Sequence, residues 1–283
     1  MKIAFWSNEY EKSHAFLNFV AVSIASVMAY PYTITVLENY LGKNNLGKAY
    51  FTNCDNIRNR YGGTGFYEGE GIEGLLRRIY RGDNHPNLLR DYLKEVISNH
   101  LYYIPQGAVI NCELFDYEMY NNISKLLYII EKNTDVCFIN TNQKNHLSSK
   151  AIIQEADIIV VNLFQDSDYL EEFFKNYNSL LSKSIFIMGN YSPKSFMSCK
   201  RISKLFDIPL EDISPIPYNE YFSVACNYGG AKEFLNSNYF CPKDSPHRLF
   251  IHGVRRAAYM ISKKVNEYTL SKKEEMEHCG IIL

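Results

Sequence analysis

Residues 5–18 read FWSNEYEKSHAFLN, and the way they are read decides the fold. The apolar run Ile3, Ala4, Phe5 and Trp6 has strand length and comes directly after the first two residues. A polar loop follows, and then an apolar stretch, HAFLNFVAVSIASVMAY, that is long enough for a buried helix. A strand, a loop and a helix at the start of a chain is an arrangement that can grip a phosphate, because a helix N-terminus carries unpaired N–H groups and partial positive charge. Such a loop normally needs glycine, so that backbone can turn inward and approach the oxygens. No glycine occurs between residues 1 and 41. The question is therefore whether this loop keeps its chemistry or only its position.

Beyond the loop, strand-length apolar runs alternate with helical patterns. Strands are predicted at 2–6, 33–38, 101–104, 135–140, 157–163, 184–189 and 212–217. Helices are predicted at 13–30, 71–80, 87–98, 113–131, 148–156, 167–181, 193–205, 220–235 and 246–275. Several strand runs are continuously apolar rather than alternating, as expected where both faces of a sheet are covered. The order predicts an α/β fold, a mostly parallel, doubly wound sheet with helices on both faces. The 283 residues are read as one domain, 1–283, with an irregular segment at 41–70 and a long terminal helix near 246–275. The stretch YGGTGFYEGEGIEG within that segment invites a dinucleotide-loop reading. No strand runs into it and its glycine spacing is wrong, so a surface loop is preferred.

Composition excludes several classes. A net charge of -1 gives no electrostatic reason to expect nucleic acid. The seven cysteines are scattered, with no C-x-x-C pair, which argues for a reducing cytoplasm and against a disulfide framework or zinc knuckle. No run reaches the length of a membrane helix. His247 and His252 stand five apart and do not share a helix face, so no metal site is expected there. Cys199, in FMSCKR, has positive neighbours but no base, and no catalytic residue is assigned. Asp166 and Asp168 around Ser167 read as a helix start, and Asp157 as a cap at a strand edge.

The order of motifs resembles the ParA/MinD-type ATPases with a deviant Walker A loop, a P-loop NTPase-like three-layer sandwich. If Asn18 stands for the Asn that follows that loop in the family, Lys12 falls on the P-loop lysine and Ser13 on the magnesium-binding hydroxyl. Asn8, Glu9 and Glu11 then replace glycines, and Ser7 replaces the signature lysine. DVCFINTN resembles the switch strand, with Asn140 where the family has an acid. EADIIVVNLFQD resembles the next helix end and strand. SIFIMGNYSPKS, with Asn190, resembles the turn on the base-binding side. PIPYNEYFSVACNYGG, with Pro217, resembles the segment that borders the adenine. The resemblance is collinear over most of the chain and weakest over 41–100. Together, FWS, ADIIVVNL and IPYN are also reminiscent of clostridial TadZ-type proteins, which localise pilus-assembly machinery.

Physical chemistry of the loop argues against turnover. Glu9 and Glu11 would put carboxylates where phosphates must sit. Two like charges about 4 Å apart repel by roughly 1 kcal/mol in water and about 4 at an effective dielectric of 20. Asn140 carries no charge for magnesium, while Glu38, at the end of the second strand, could supply a carboxylate or be a solvated strand end. A local reading places Glu9 and Glu11 on the dipole of helix 13–30, with Ser13 as N-cap. The missing glycine loop argues against an unrelated Rossmann-like enzyme, and two functions stay open beside it. The preferred one is a degenerate, non-hydrolysing localisation or scaffold factor without cofactor. It would be cytoplasmic, or peripheral at a membrane through a partner, and act as a homodimer or with a pilus- or secretion-assembly protein. The alternative is a divergent switch that binds ATP and magnesium through Lys12 and Ser13, with weak ATPase activity.

Overall fold

The structure, a computed structural model, describes residues 1–39, 46–52, 71–83, 85, 87–107, 111–141 and 147–278, with backbone alone over 273–278. The glycine-rich stretch at 61–70 lies outside the described residues.

Among the described residues, eight strands form one sheet. They are β1 (Lys2–Trp6), β2 (Ile34–Asn39), β3 (Lys94–Ile97), β4 (Leu101–Tyr103), β5 (Val136–Thr141), β6 (Ile158–Leu163), β7 (Ser184–Gly189) and β8 (Ile213–Ile216). Their order across the sheet is β3-β4-β2-β5-β1-β6-β7-β8. Every pairing is parallel except β3 with β4. All six positions of β2, β5, β6 and β7 are buried, which is why their sequences are mostly apolar rather than alternating, with polar residues gathered chiefly near their carboxyl ends.

Side-chain alternation divides the interior in two. Ile3, Phe5, Val136, Phe138, Val160 and Ile187 face one core, and Ala4, Trp6, Cys137, Ile139, Val161 and Met188 face the other. The first core is covered by α1 (Ala15–Ala29), the short α2 (Leu46–Tyr50), α8 (Glu220–Asn227), α9 (Ala231–Asn238) and α10 (Arg248–His278). The second is covered by α3 (Gly71–Tyr80), α4 (Cys112–Glu131), α5 (Leu147–Glu155), α6 (Ser167–Asn176) and α7 (Cys199–Leu205). This is the three-layer, doubly wound α/β architecture expected from the sequence. Helix α1 is wedged between the sheet, α9 and α10, so it is apolar around most of its surface. Its buried Ser23 and Ser26 hydroxyls bond back to the carbonyls of Val20 and Val22.

Four helix expectations are corrected. Residues 87–98 are a 3-10 turn at Arg90–Tyr92 followed by β3, because KEVI pairs antiparallel with β4 through a bulge. Its lysine and glutamate suit an edge strand. Residues 220–235 form two helices, broken where Gly229 takes φ +76° and packs on the Phe51 carbonyl. Residues 193–205 become helical only at Cys199, where Ser198 accepts from the Arg201 N–H. Helix 167–181 ends at Asn176 and continues as the 3-10 turn Asn178–Lys183. Among the described residues no helix is long and apolar enough to cross a membrane.

Candidate functional site

The loop at 7–14 leaves the carboxyl end of β1, an interior strand paired with β5 on one side and β6 on the other. Ligand crevices of open α/β sheets form at that edge. Asn140 in β5, Asn162 in β6, Gly189 at the end of β7 and the segment after β8 all reach the same edge.

The loop is bonded to itself. The Ser13 N–H donates to the Glu9 carbonyl at 3.0 Å, His14 N–H to Glu11 at 3.1 Å and Ala15 N–H to Tyr10 at 3.1 Å. The buried Ser7 hydroxyl donates to the Asn162 carbonyl at 2.8 Å and accepts from the Glu9 N–H at 3.2 Å. The Ser13 hydroxyl lies 3.0 Å from Ser7 Oγ and 3.2 Å from the Tyr10 carbonyl, and Ser13 is fully buried. Ser13 is therefore not the N-cap of α1. That position belongs to His14, in the left-handed region at φ 50°, and its side chain makes no capping bond. The first turn of α1 itself contains no acidic residue; Glu9 and Glu11 lie in the loop before it, with Glu11 acting electrostatically on His14 at the N-cap. Burial holds the His14 imidazole below its usual range, and its ring lies 4.9 Å from that of Tyr218.

Neighbouring side chains pin the loop from both sides. The Tyr10 hydroxyl sits 2.9 Å from Asn140 Nδ2 and 3.2 Å from Oδ1. The Tyr169 hydroxyl donates to Asn8 Oδ1, and its ring stacks on Phe164 at 4.1 Å. Asn18 Nδ2 donates to the Ser13 carbonyl at 3.0 Å and to Asn162 Oδ1 at 3.2 Å. A Cβ on Gly189 would stand 1.8 Å from that same carbonyl. Lys12 points outward, 65% exposed, 3.7 Å from a Glu9 carboxylate oxygen and 5.5 Å above the Phe164 ring.

Glu38 is not a solvated strand end. It is 1% exposed beneath α2, where Oε2 accepts from the Leu46 N–H at 3.2 Å and the Tyr103 hydroxyl at 3.4 Å. Oε1 has no partner. Burial pushes its pKa up to about 8 against these two bonds, so near neutral pH it is mostly a neutral acid. Register sets Glu38 beside Asn140 on the neighbouring strand. Asn190 is exposed at φ 48° just past β7, and Pro217 is half-buried just past β8. The structure thus gathers Lys12, Ser13, Asn140, Asn190 and Pro217 at one edge and sets Glu38 in the core under it.

Sequence reading missed Tyr10, Tyr169 and Asn162 as the residues that hold the loop. The only signal available was a polar residue, Asn162, inside an otherwise apolar strand. Asp166 accepts from the Tyr169 N–H and caps α6, and Asp157 accepts from the Lys2 N–H at the strand edge. His247 bonds to Asn219 and packs between Tyr221 and Phe234. The Cys199 thiol is buried, which raises its pKa. Among the described residues no group of three His, Cys, Asp or Glu is placed to hold a metal ion.

No protein-family model matches the sequence, and no curated protein does. Solved structures do match in fold. The cell-division ATPase MinD of Pyrococcus furiosus superposes with a TM-score of 0.65 at 12% identity, covering 93% of this chain and 98% of that one. A ParA-family ATPase from Chlorobium tepidum gives 0.63 at 15% identity, covering 91% and 98%. MinD in the MinC:MinD complex of Aquifex aeolicus gives 0.63 at 11%, covering 93% and 96%. The fold is that of ParA/MinD-type ATPases, and at these identities the likeness is one of fold.

Proposed function

We propose that this chain is a non-hydrolysing member of that architecture, a localisation or scaffold factor that works through a second copy or a protein partner. The observation that carries the reading is the fate of the amides of Ser13, His14 and Ala15, which are bonded to carbonyls of their own loop. A phosphate would have to displace three such bonds, each worth about 0.5–1.5 kcal/mol net. It would also meet Glu9 and Glu11 with one lysine to offset them. That lysine is exposed and already within 3.7 Å of Glu9. An exposed pair of this kind contributes about 0–1 kcal/mol, so Lys12 is poorly matched to the repulsion of two carboxylates. On the metal side, Ser13 is buried against Ser7, and Asn140 is uncharged and held by Tyr10. These residues do not fit a magnesium triphosphate.

The MinD neighbour that is solved with MinC illustrates a protein of this fold assembled with a partner. The TadZ-type resemblance suggests the class of partner, a protein of pilus or secretion assembly. Fold alone does not supply function, so the test is direct. Thermal unfolding is measured with and without Mg-ATP, for the native chain and for Lys12→Ala. A ligand at a hundred times its dissociation constant adds about 2.7 kcal/mol of stability. The expected result is no shift in either protein and no phosphate release. A shift that Lys12→Ala abolishes would establish the ATP-binding switch instead.

A further inference from the structure

We propose that the groove between α7 and the 3-10 turn Leu210–Asp212 docks an acidic, amphipathic segment of a partner protein. The groove is shallow and open to solvent, with a volume of about 660 Å³. Its apolar walls are Phe196, Leu205 and Leu210, which are 74%, 56% and 38% exposed. Its rim carries Lys200, Arg201 and Lys204, and none of the described residues that line it is a carboxylate.

The charge is uncompensated. Glu211 and Asp212 adjoin the groove, but they are held by Lys263 and Lys264 of α10 at 3.2 and 3.4 Å. Among the described residues, Lys200, Arg201 and Lys204 have no ion-pair partner. In a chain of net charge -1 this is a local positive excess beside exposed apolar surface. The Arg201 guanidinium lies 3.6 Å from the Phe196 ring centroid. Stacking fixes the plane of the guanidinium and leaves its N–H edge open for a bidentate carboxylate. On the other side of α7, Cys199 and Ile202 are buried in the second core, so the groove stands on a rigid element.

The combination selects the occupant. A nucleic-acid backbone would use the cations and leave the apolar walls wet. A helical segment with leucine-like residues on one face and carboxylates beside them meets both features. Charge complementarity would guide encounter and orientation, and the apolar walls would supply burial.

The probe is a short fluorescein-labelled peptide with Leu at i, i+3, i+4 and i+7 and Glu at the remaining positions, read by anisotropy with the full chain. Saturable binding is expected. It should weaken by about tenfold or more in the triple variant Lys200→Glu, Arg201→Glu, Lys204→Glu, and again in Phe196→Ser. Since all four side chains are exposed, circular dichroism melts should match the native chain. If the triple variant does not fold, Lys204→Glu alone carries the charge test. The proposal is overturned by absence of binding, by binding indifferent to these substitutions, or by equal binding of a peptide of the same composition with its leucines dispersed. Tighter binding of duplex DNA or of phosphatidylserine vesicles through the same residues would overturn it as well.

Discussion

Gly189 sets how closely the loop can lie on the sheet. The carbonyl of Ser13 occupies the space that a side chain at 189 would need. Gly189→Ala should therefore cost about 1–3 kcal/mol or more in a urea melt, by overpacking against backbone. Gly230→Ala, where the nearest atoms are 3.7–4.0 Å away, creates no such overpacking and should cost only the N-cap preference of glycine over alanine, about 1 kcal/mol or less. Glu38 gives the second prediction at this scale. Its pKa is 4.5 when unperturbed and about 8 in the folded protein. Between those values the folded chain holds a proton that the unfolded chain has lost, so stability falls as pH rises. The contribution is full below about 4.5 and gone above about 8, with a slope of at most about 1.4 kcal/mol per pH unit. Glu38→Gln should flatten that slope in denaturation curves taken across the interval. Neither residue could be assigned its role from the sequence. The loop's departure from glycine was legible there, whereas the contacts of Gly189 and Glu38 come from chain segments far apart in number.

Helix and strand boundaries followed local chemistry where a cap or a long apolar run marked them. The apolar periodicity of 113–131 gave α4 almost as it stands, and Asn111 accepts from the Glu113 and Leu114 N–H groups at its start. Asn219 caps α8 in the same way and also bonds to His247, which ties two elements together. Asn219→Ala should cost about 1 kcal/mol, or up to about 2, in thermal unfolding, with the sheet core intact. Reading failed where pairing overrode periodicity. KEVI in β3 follows a turn and precedes another, and only its partner β4 makes it a strand. The break at Gly229 was written in the sequence as two glycines. Its cause, the approach of the Phe51 carbonyl, is tertiary.

The whole architecture was the most legible level, because five strands are covered on both faces or nearly so and are mostly apolar rather than alternating. That pattern and the order of elements imply a parallel, doubly wound sheet without any conserved motif. Function was less legible, since it depends on whether backbone groups at one loop are open or closed. Sequence reasoning inferred eroded chemistry from acids and missing glycines. The proposal rests on a different observation, a loop whose closing amides are bonded internally and whose side chains bond through Tyr10 to Asn140 and from Tyr169 to Asn8. Hydrogen exchange at the amides of Ser13, His14 and Ala15, followed by NMR with and without Mg-ATP, tests this most directly. All three amides should be protected in the free protein and unchanged by nucleotide. Fast exchange in the free protein that becomes protected when Mg-ATP is added would contradict the account.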